Sequence, residues 1–242
     1  MNGPHQGRPC WKEYATVRVT SVLLAEVAED GTDKVYLVAS AKPATSPENY
    51  DCHACAPAIG VAVFVAQEGN WALQSANPAV GFYGGWGSPP FVDLVKIGPD
   101  KRGVLLFDED NHGGFASSYK ILLVPFGRTV AEAWGIQDEQ DNTGAYDLTD
   151  KLNKQVPYRS AAAFRFNTTH SDEGSIADYY DVELISRGDV SNDLVHLKPE
   201  NWTEVYRFKD GKYRLLSHKN SIEIAIPHHQ PQKRPKPKPT DP

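Results

Sequence analysis

Two cysteines three positions apart, Cys52 and Cys55, have the spacing in this chain that most suggests chemistry. A c-type haem needs a histidine directly after the second cysteine of such a pair, and because Ala56 stands there, haem attachment is excluded. A thioredoxin-like pair should open a helix, whereas the apolar, β-branched residues that follow predict a strand. A structural zinc ion needs four ligands, and only Cys10 and His53 would complete that set.

A disulfide is the interpretation that these cysteines favour. Cys52 pairs with Cys55 in a tight loop, or one of them pairs with Cys10, because three cysteines leave one odd thiol. Such a bond would indicate an oxidising compartment. Three reduced cysteines in a cytosolic protein are the remaining alternative.

The stretch FDEDNHGG at residues 107–114 is a candidate calcium loop. Asp108, Asp110 and His112 alternate before a glycine, and alternate carboxylates converge on a hard cation in such loops. His112 takes a position that ordinarily supplies oxygen, and no glutamate follows at the usual spacing. Calcium is therefore the one cofactor to consider, with Asp108 and Asp110 as its ligands, and a polar hairpin turn is the alternative.

The stretch GFYGGWGSPP at residues 81–90 holds three aromatic residues among glycines and prolines. Aromatic side chains on a glycine-rich loop are typical of recognition surfaces, because they offer a rigid contact area with little loss of entropy. Aromatic rings folded back over a sheet are the alternative. The residues expected to contact a protein partner are Phe82, Tyr83, Trp86, His112 and Tyr179.

The familiar catalytic motifs do not occur in this sequence. It contains no G-x-S-x-G nucleophile elbow, no H-E-x-x-H and no P-loop. We therefore expect a protein that is not an enzyme. A pair of carboxylates acting as in a glycosidase is the alternative, and its geometry depends on the fold.

The net charge of −6 is distributed unevenly along the chain. The last sixteen residues hold four basic side chains and one acidic one, so the rest of the chain is more acidic than the whole. An acidic body argues against nucleic acid and favours a cationic partner. No apolar run is long enough for a transmembrane helix, and the first thirteen residues, MNGPHQGRPCWKE, lack the apolar core of a signal peptide.

About a dozen short segments rich in β-branched and aromatic residues follow one another, separated by turn sequences such as AEDGT, EGN and KDG. This pattern predicts an all-β fold of antiparallel hairpins, either propeller-like or a double-sheet sandwich. One short helix is predicted at residues 146–155. We expect a flexible leader at residues 1–12, a single all-β domain at residues 13–226 and a disordered Pro- and Lys-rich tail at residues 227–242.

The chain resembles exported bacterial β-rich proteins of the periplasmic immunity or lysozyme-inhibitor type in the order of its stretches YDCHACAPAIG, GWGSPP, LVKIGPDKRGVLLFDEDNHGG, YYDVELISRG and VYRFKDGKYRLL. The resemblance extends over residues 50–216. It implies a periplasmic or secreted protein whose surface loops block a toxin hydrolase, with a cytoplasmic location as the alternative. A hydrolase acting on cell walls or carbohydrate and a calcium-dependent carbohydrate-binding module are the competing functions.

Overall fold

The computed structural model describes residues 16–44, 52, 54–145, 156–168, 178–191, 196–199 and 201–220. These residues form thirteen strands in two antiparallel sheets and a 3-10 turn at Thr143–Ala145. The first sheet contains, in spatial order, β1 (Val17–Glu29), β2 (Thr32–Pro43), β3 (Ala58–Gln67) and β4 (Asn70–Phe82). The second contains β5 (Phe91–Gly98), β6 (Lys101–His112), β7 (Phe115–Phe126), β8 (Thr129–Asp141), β9 (Arg159–Asn167), β10 (Asp181–Val190), β11 (Lys198–Pro199), β12 (Trp202–Lys209) and β13 (Lys212–Asn220). Its spatial order is β13-β12-β10-β9-β8-β7-β6-β5, with β11 paired to β10.

Tight turns join consecutive strands where the sequence predicts them. The β1–β2 turn places Asp30 and Gly31 at φ values of 55° and 70°, and the β3–β4 turn places Glu68 and Gly69 at 49° and 77°. Two successive left-handed residues form the type I′ turn, whose twist matches that of the flanking strands. The predicted hairpins at AEDGT and EGN are therefore confirmed.

Strands β6 and β7 lie in the middle of the molecule and bury both of their faces. Val104 and Leu106 belong to one core, whereas Leu105 between them belongs to the other. Burial of both faces explains the continuous apolar runs of these strands. In a strand with one face in water, apolar and polar residues would alternate. The first core consists of Tyr36, Val38, Ile59, Val61, Val63, Tyr83, Val92, Val104, Leu106, Ile121, Leu123 and Val130. The second consists of Ile97, Leu105, Leu122, Val124, Ala133, Trp134, Val182, Leu184 and Tyr213.

The nine-stranded sheet folds back on itself between β8 and β9. These two strands pair over only three residues, Glu139–Asp141 against Arg159–Ala161. Beyond that junction, Val182 on β10 and Tyr213 on β13 pack against the far side of β6 and β7 in the second core. The strands therefore stack in three layers, with the first sheet on one side of β5–β8 and the later strands on the other. The predicted all-β class is confirmed, in its stacked-sheet form.

A buried polar cluster joins the first sheet to the β5–β6 hairpin. The Lys34 ammonium donates to Glu29 Oε1 at 2.8 Å, and the Tyr36 hydroxyl donates to Glu29 Oε2 at 2.8 Å. Asp30 bridges to Lys101 at 2.9 Å across the sheets, and that hydrogen bond lowers the pKa of Asp30. Glu29, Lys34 and Tyr36 satisfy one another's buried polar groups within the first sheet, and the half-exposed Asp30–Lys101 pair links this end to the β5–β6 hairpin.

Several predicted segments lie outside the described residues. They are the leader at residues 1–12, the helix at residues 146–155, the end of the predicted domain at residues 221–226 and the tail at residues 227–242. Among the described residues no helix has the length and apolarity that a membrane crossing requires.

Candidate functional site

Cys52 and Cys55 form a disulfide, with their Cα atoms 5.1 Å apart. The backbone N–H of Cys55 also donates to the Cys52 carbonyl at 2.9 Å, so the bridge closes a tight turn. The sequence left the pairing open, and the structure selects the short loop and not a bond to Cys10. Since both sulfurs are bonded to each other, neither is a free thiol or a zinc-binding thiolate in this structure. Cys10 and His53 lie outside the described residues.

The glycine-rich loop at residues 84–88, which we call the tryptophan loop, is held against this disulfide turn. The Trp86 N–H donates to the Cys52 carbonyl at 3.1 Å, and the Gly87 N–H donates to the Cys55 carbonyl at 2.8 Å. On the other side, the Gly84 N–H donates to Asp108 Oδ1 at 3.0 Å. The disulfide turn therefore supports the loop that follows β4.

Three positions of the tryptophan loop, Gly84, Trp86 and Gly87, have left-handed backbone. Gly84 has φ of 96°, and a Cβ there would lie 2.1 Å from the Ser88 carbonyl oxygen, so only glycine fits. Trp86 has φ of 53°, a conformation that costs an L-residue about 1–2 kcal/mol. Its side chain is 58% exposed. Strained backbone that presents an exposed ring is a feature to be expected of a binding site.

Tyr83 does not belong to the exposed part of this loop. Its side chain is 2% exposed, packs in the first core and donates a hydrogen bond from its hydroxyl to Glu132 Oε2 at 3.0 Å. Burial raises the pKa of Tyr83, so the hydroxyl keeps its proton. Gly81 makes room for the ring, because a Cβ there would lie 2.6 Å from it. Tyr83 anchors the loop and offers no contact surface, whereas Phe82 is half-buried beside it at the end of β4.

Asp108, Asp110 and His112 lie along one face of β6, where that strand extends past the first core. Burial raises the pKa of Asp108, against the lowering effect of the Gly84 N–H. Asp110 lies two residues farther along the strand, about 7 Å from Asp108. No group of three or more His, Cys, Asp or Glu side chains that could hold a metal occurs among the described residues, so the expected calcium site gains no support.

A surface pocket of about 290 Å³, which we call the acidic pocket, opens beside these residues. Strand pairing assembles part of it, because Asp110 pairs with Ser117 and Ser117 pairs with Gln140. Asp141 accepts hydrogen bonds from the Thr143 hydroxyl and N–H at 2.7 Å each, and these lower its pKa. The residues that line the pocket are Asp110, His112, Phe115, Ala116, Ser117, Gln137, Gln140, Asp141 and Tyr158.

Tyr179 lies elsewhere in the molecule. Its ring stacks on Phe208 with centroids 3.9 Å apart, and it packs against the second core. The next residue, Tyr180, donates from its N–H to the Ile97 carbonyl at 2.7 Å, near the β5–β6 hairpin. The structure therefore joins the tryptophan loop to Asp108 through Gly84, with Asp110 and His112 farther along the same strand, and it separates Tyr179 from these residues.

Sequence reasoning missed the part of the acidic pocket that β7, β8 and the residue before β9 contribute. Phe115, Gln137 and Tyr158 are distant in the chain and meet only through strand order. Pairing β6 with β7 across the turn at NHGG would have placed Phe115 beside His112, which is the observed register. Nothing local in the sequence indicates that residue 158 returns to this place.

Comparisons of the chain with protein-family models, with curated proteins and with solved structures found no match. The function is therefore argued from the residues of this site.

Proposed function

We propose that this chain is a non-enzymatic binding protein of the bacterial envelope, an immunity or inhibitor protein that blocks a toxin hydrolase. The observation that carries the proposal is Trp86, an exposed aromatic ring on a loop that a disulfide and a carboxylate hold in place. Exposed tryptophans in fixed backbone are the residues on which protein interfaces most often depend.

The rigidity of the tryptophan loop supports a role in protein binding. Hydrogen bonds to Cys52 and Cys55 on one side and to Asp108 on the other fix its backbone before any partner arrives. Preorganisation of this kind raises affinity, because the ordering entropy is not lost on association. A loop that inserts one aromatic side chain into an enzyme cleft would be built in this way.

Carboxylates farther along the strand that carries Asp108 support a cationic partner. Asp110 and Asp141 line the acidic pocket, and the pKa of Asp141 is lowered, so that carboxylate is charged at neutral pH. A negative surface next to an aromatic anchor attracts a basic partner and accelerates association. Enzymes that act on anionic cell-wall polymers need a basic surface for the same electrostatic reason.

The disulfide supports a location outside the cytoplasm. Disulfides persist in oxidising compartments such as the bacterial periplasm and are rare where thiols are kept reduced. The bond between Cys52 and Cys55 positions the candidate site itself, so binding in our proposal depends on that compartment.

The proposal is tested by capture followed by inhibition. The full chain is immobilised, exposed to an envelope extract at low salt, and the captured proteins are identified by mass spectrometry. We expect a peptidoglycan hydrolase, whose release of fragments from purified peptidoglycan falls when the chain is added. Trp86→Ala should lower its affinity about thirtyfold or more, which corresponds to about 2 kcal/mol.

Phe126→Ala is the matched control, because Phe126 is also an exposed aromatic residue but lies at the β7–β8 turn, outside the candidate site. It should leave the affinity unchanged. Capture of no hydrolase in repeated extracts, or equal losses with both variants, would contradict the proposal.

A second candidate function is hydrolysis by the acidic pocket itself, because Asp110 and Asp141 line it together with Phe115 and Tyr158. Paired carboxylates beside aromatic rings are the arrangement that glycosidases use. In that case the chain alone would degrade purified peptidoglycan, and Asp110→Asn would abolish the activity. Absence of any product after long incubation at high enzyme concentration would exclude this alternative for that substrate.

A further inference from the structure

The first sheet covers a core with only one of its two faces. Tyr36 and Val38 on β2 and Ile59 and Val61 on β3 point into the first core. Because side chains alternate along a strand, the residues between them point away from it. We call this second side the outer face. Its apolar members include Leu24, Val35, Leu37, Ala39, Ala62, Phe64, Ala66, Trp71, Leu73 and Ala76.

The outer face is a continuous apolar surface. Strand pairing places its side chains in two neighbouring rows, Leu24–Leu37–Ala62–Ala76 and Glu26–Val35–Phe64–Leu73. Three of the large side chains are strongly exposed: Leu24 by 70%, Leu73 by 57% and Trp71 by 48%. Paired residues in adjacent strands lie about 5 Å apart, so the apolar groups touch one another across the sheet.

A sheet face in contact with water ordinarily carries polar side chains. Between residues 21 and 28 of β1 and residues 33 and 39 of β2, the outward positions that are polar are Ser21, Glu26 and Asp33. Those acids lie toward the β1–β2 turn and leave the middle of the face apolar. Contiguous apolar patches of this size mark interaction surfaces.

We propose that the outer face packs against the outer face of a second copy of this chain. Four strands at about 4.8 Å spacing and about eight residues at about 3.3 Å rise give a flat area of roughly 500 Å². Two copies would then bury about 1,000 Å² or more, which reaches the lower limit for a specific interface. The area fits a reversible dimer formed from one sheet of each copy.

The position of the charges suits a twofold arrangement. Glu26 and Asp33 lie toward the turn end of the face, whereas Leu37 and Ala62 lie near its centre. A twofold axis that runs across the strands through that centre brings apolar residues together. It also places each acidic end over the opposite end of the partner, so the like charges stay apart.

One edge of this sheet is already covered, which favours contact through the face. The Ser75 hydroxyl donates to the Gly127 carbonyl at 2.7 Å, and the Asn77 amide donates to the Val130 carbonyl at 2.9 Å. Strand β4 is thereby tied to the β7–β8 hairpin. A second copy therefore does not extend the sheet at β4.

The test is the mass of the full chain in solution between about 1 and about 100 µM, a range that brackets the Kd expected for a small interface. Sedimentation velocity of the unchanged chain should show a reversible shift from 26.7 kDa to twice that mass. The double variant Leu24→Asp with Leu73→Asp should stay monomeric throughout. Both leucines are exposed, so the substitutions leave the cores intact, and circular dichroism checks this.

Leu215→Asp is the matched control, because Leu215 is 54% exposed but lies on β13 in the other sheet. It should dimerise like the unchanged chain. Trp71→Ala, a milder change that introduces no charge, should raise the dissociation constant about tenfold. A monomer at about 100 µM, or a double variant that dimerises as well as the control, would overturn the proposal.

Discussion

The tryptophan loop and the outer face each expose a tryptophan, but their backbones are built in different ways. Trp86 stands on left-handed backbone fixed by a disulfide turn and by Asp108. Trp71 lies on the regular strand β4, and strand pairing determines which residues lie next to it. The position of Trp86 therefore depends on a few specific contacts of the loop. The side chains of the outer face are positioned by the regular pairing of four strands, so no single contact decides where they lie.

This difference indicates two kinds of partner. A single fixed ring suits a concave partner, where one anchor carries most of the binding energy. A broad apolar sheet face suits another apolar sheet face, where the buried area supplies most of the binding energy. Substitutions that disturb backbone should therefore damage the loop, and substitutions that add charge should damage the face.

The largest effect is expected at Gly84. A Cβ at that position would lie 2.1 Å from the Ser88 carbonyl oxygen, on backbone with φ of 96°. Gly84→Ala should lower the free energy of unfolding by about 3 kcal/mol or more, because the loop must move to remove the clash. Urea denaturation followed by tryptophan fluorescence measures it.

Gly31→Ala is the control for this substitution. Gly31 also has positive φ, 70°, but a Cβ added there would meet no atom within 4 Å beyond its chain neighbours. Gly31→Ala should lower the free energy of unfolding by about 1 kcal/mol, which is the cost of the backbone conformation alone. Equal losses at Gly31 and Gly84 would show that the packing of the tryptophan loop contributes nothing.

The next effect is expected from removal of the disulfide. Cys52→Ser with Cys55→Ser should lower the free energy of unfolding by about 2 kcal/mol, the entropy that so short a loop contributes. Partner binding should weaken as well, because Trp86 and Gly87 donate hydrogen bonds to this turn. Dimerisation should not change. A variant that binds its partner normally would separate the disulfide from the function of the loop.

Local features of the sequence predicted much of the fold and less of the site. The turns at Asp30–Gly31 and Glu68–Gly69 were predictable because their residue types fix the backbone. The continuous apolar runs of β6 and β7 predicted strands, but not that two different layers cover their two faces. Which layers cover these two faces depends on where the second sheet folds back, between β8 and β9. No local sequence pattern marks that point.

The same limit applies to individual aromatic residues. Tyr83 and Trp86 stand three positions apart on one glycine-rich stretch, yet one is buried and the other exposed. The difference depends on Glu132, which accepts the Tyr83 hydrogen bond from β8, 49 residues away. The sequence predicted an aromatic loop, and only the long-range contact determines which ring reaches the surface.

A glycine substitution compares the two exposed tryptophans directly. Trp86→Gly should leave the free energy of unfolding unchanged or raise it by up to about 1 kcal/mol, because glycine adopts φ of 53° without strain. Trp71→Gly should lower it by about 1 kcal/mol, because glycine weakens a strand. Urea denaturation of both variants checks the signs. A clear loss of stability with Trp86→Gly would mean that this ring serves the fold.

The smallest effects are expected from two carboxylates of the candidate site, and they should have opposite signs. Burial raises the pKa of Asp108, so ionisation opposes folding above its folded pKa. Asp108→Asn should therefore raise the Tm at pH 7, and the gain should vanish below about pH 3.9, the pKa of the unfolded carboxyl. Asparagine can still accept the hydrogen bond from Gly84, so the loop stays in place.

Asp141 is the opposite case, because hydrogen bonds from Thr143 lower its pKa in the folded state. Its charged form favours folding above the unfolded pKa of about 3.9, and this contribution is lost as the pH falls through the lower folded value. Asp141→Asn should thus lower the Tm at pH 7 and have no effect at strongly acid pH. Each change in Tm should stay below about 3 °C, because the free energy of unfolding should change by less than about 1 kcal/mol in a chain of this size. Thermal unfolding of both variants at pH 7 and at strongly acid pH measures these shifts. Shifts of the same sign at pH 7 would show that the two carboxylates do not differ in the way their surroundings require.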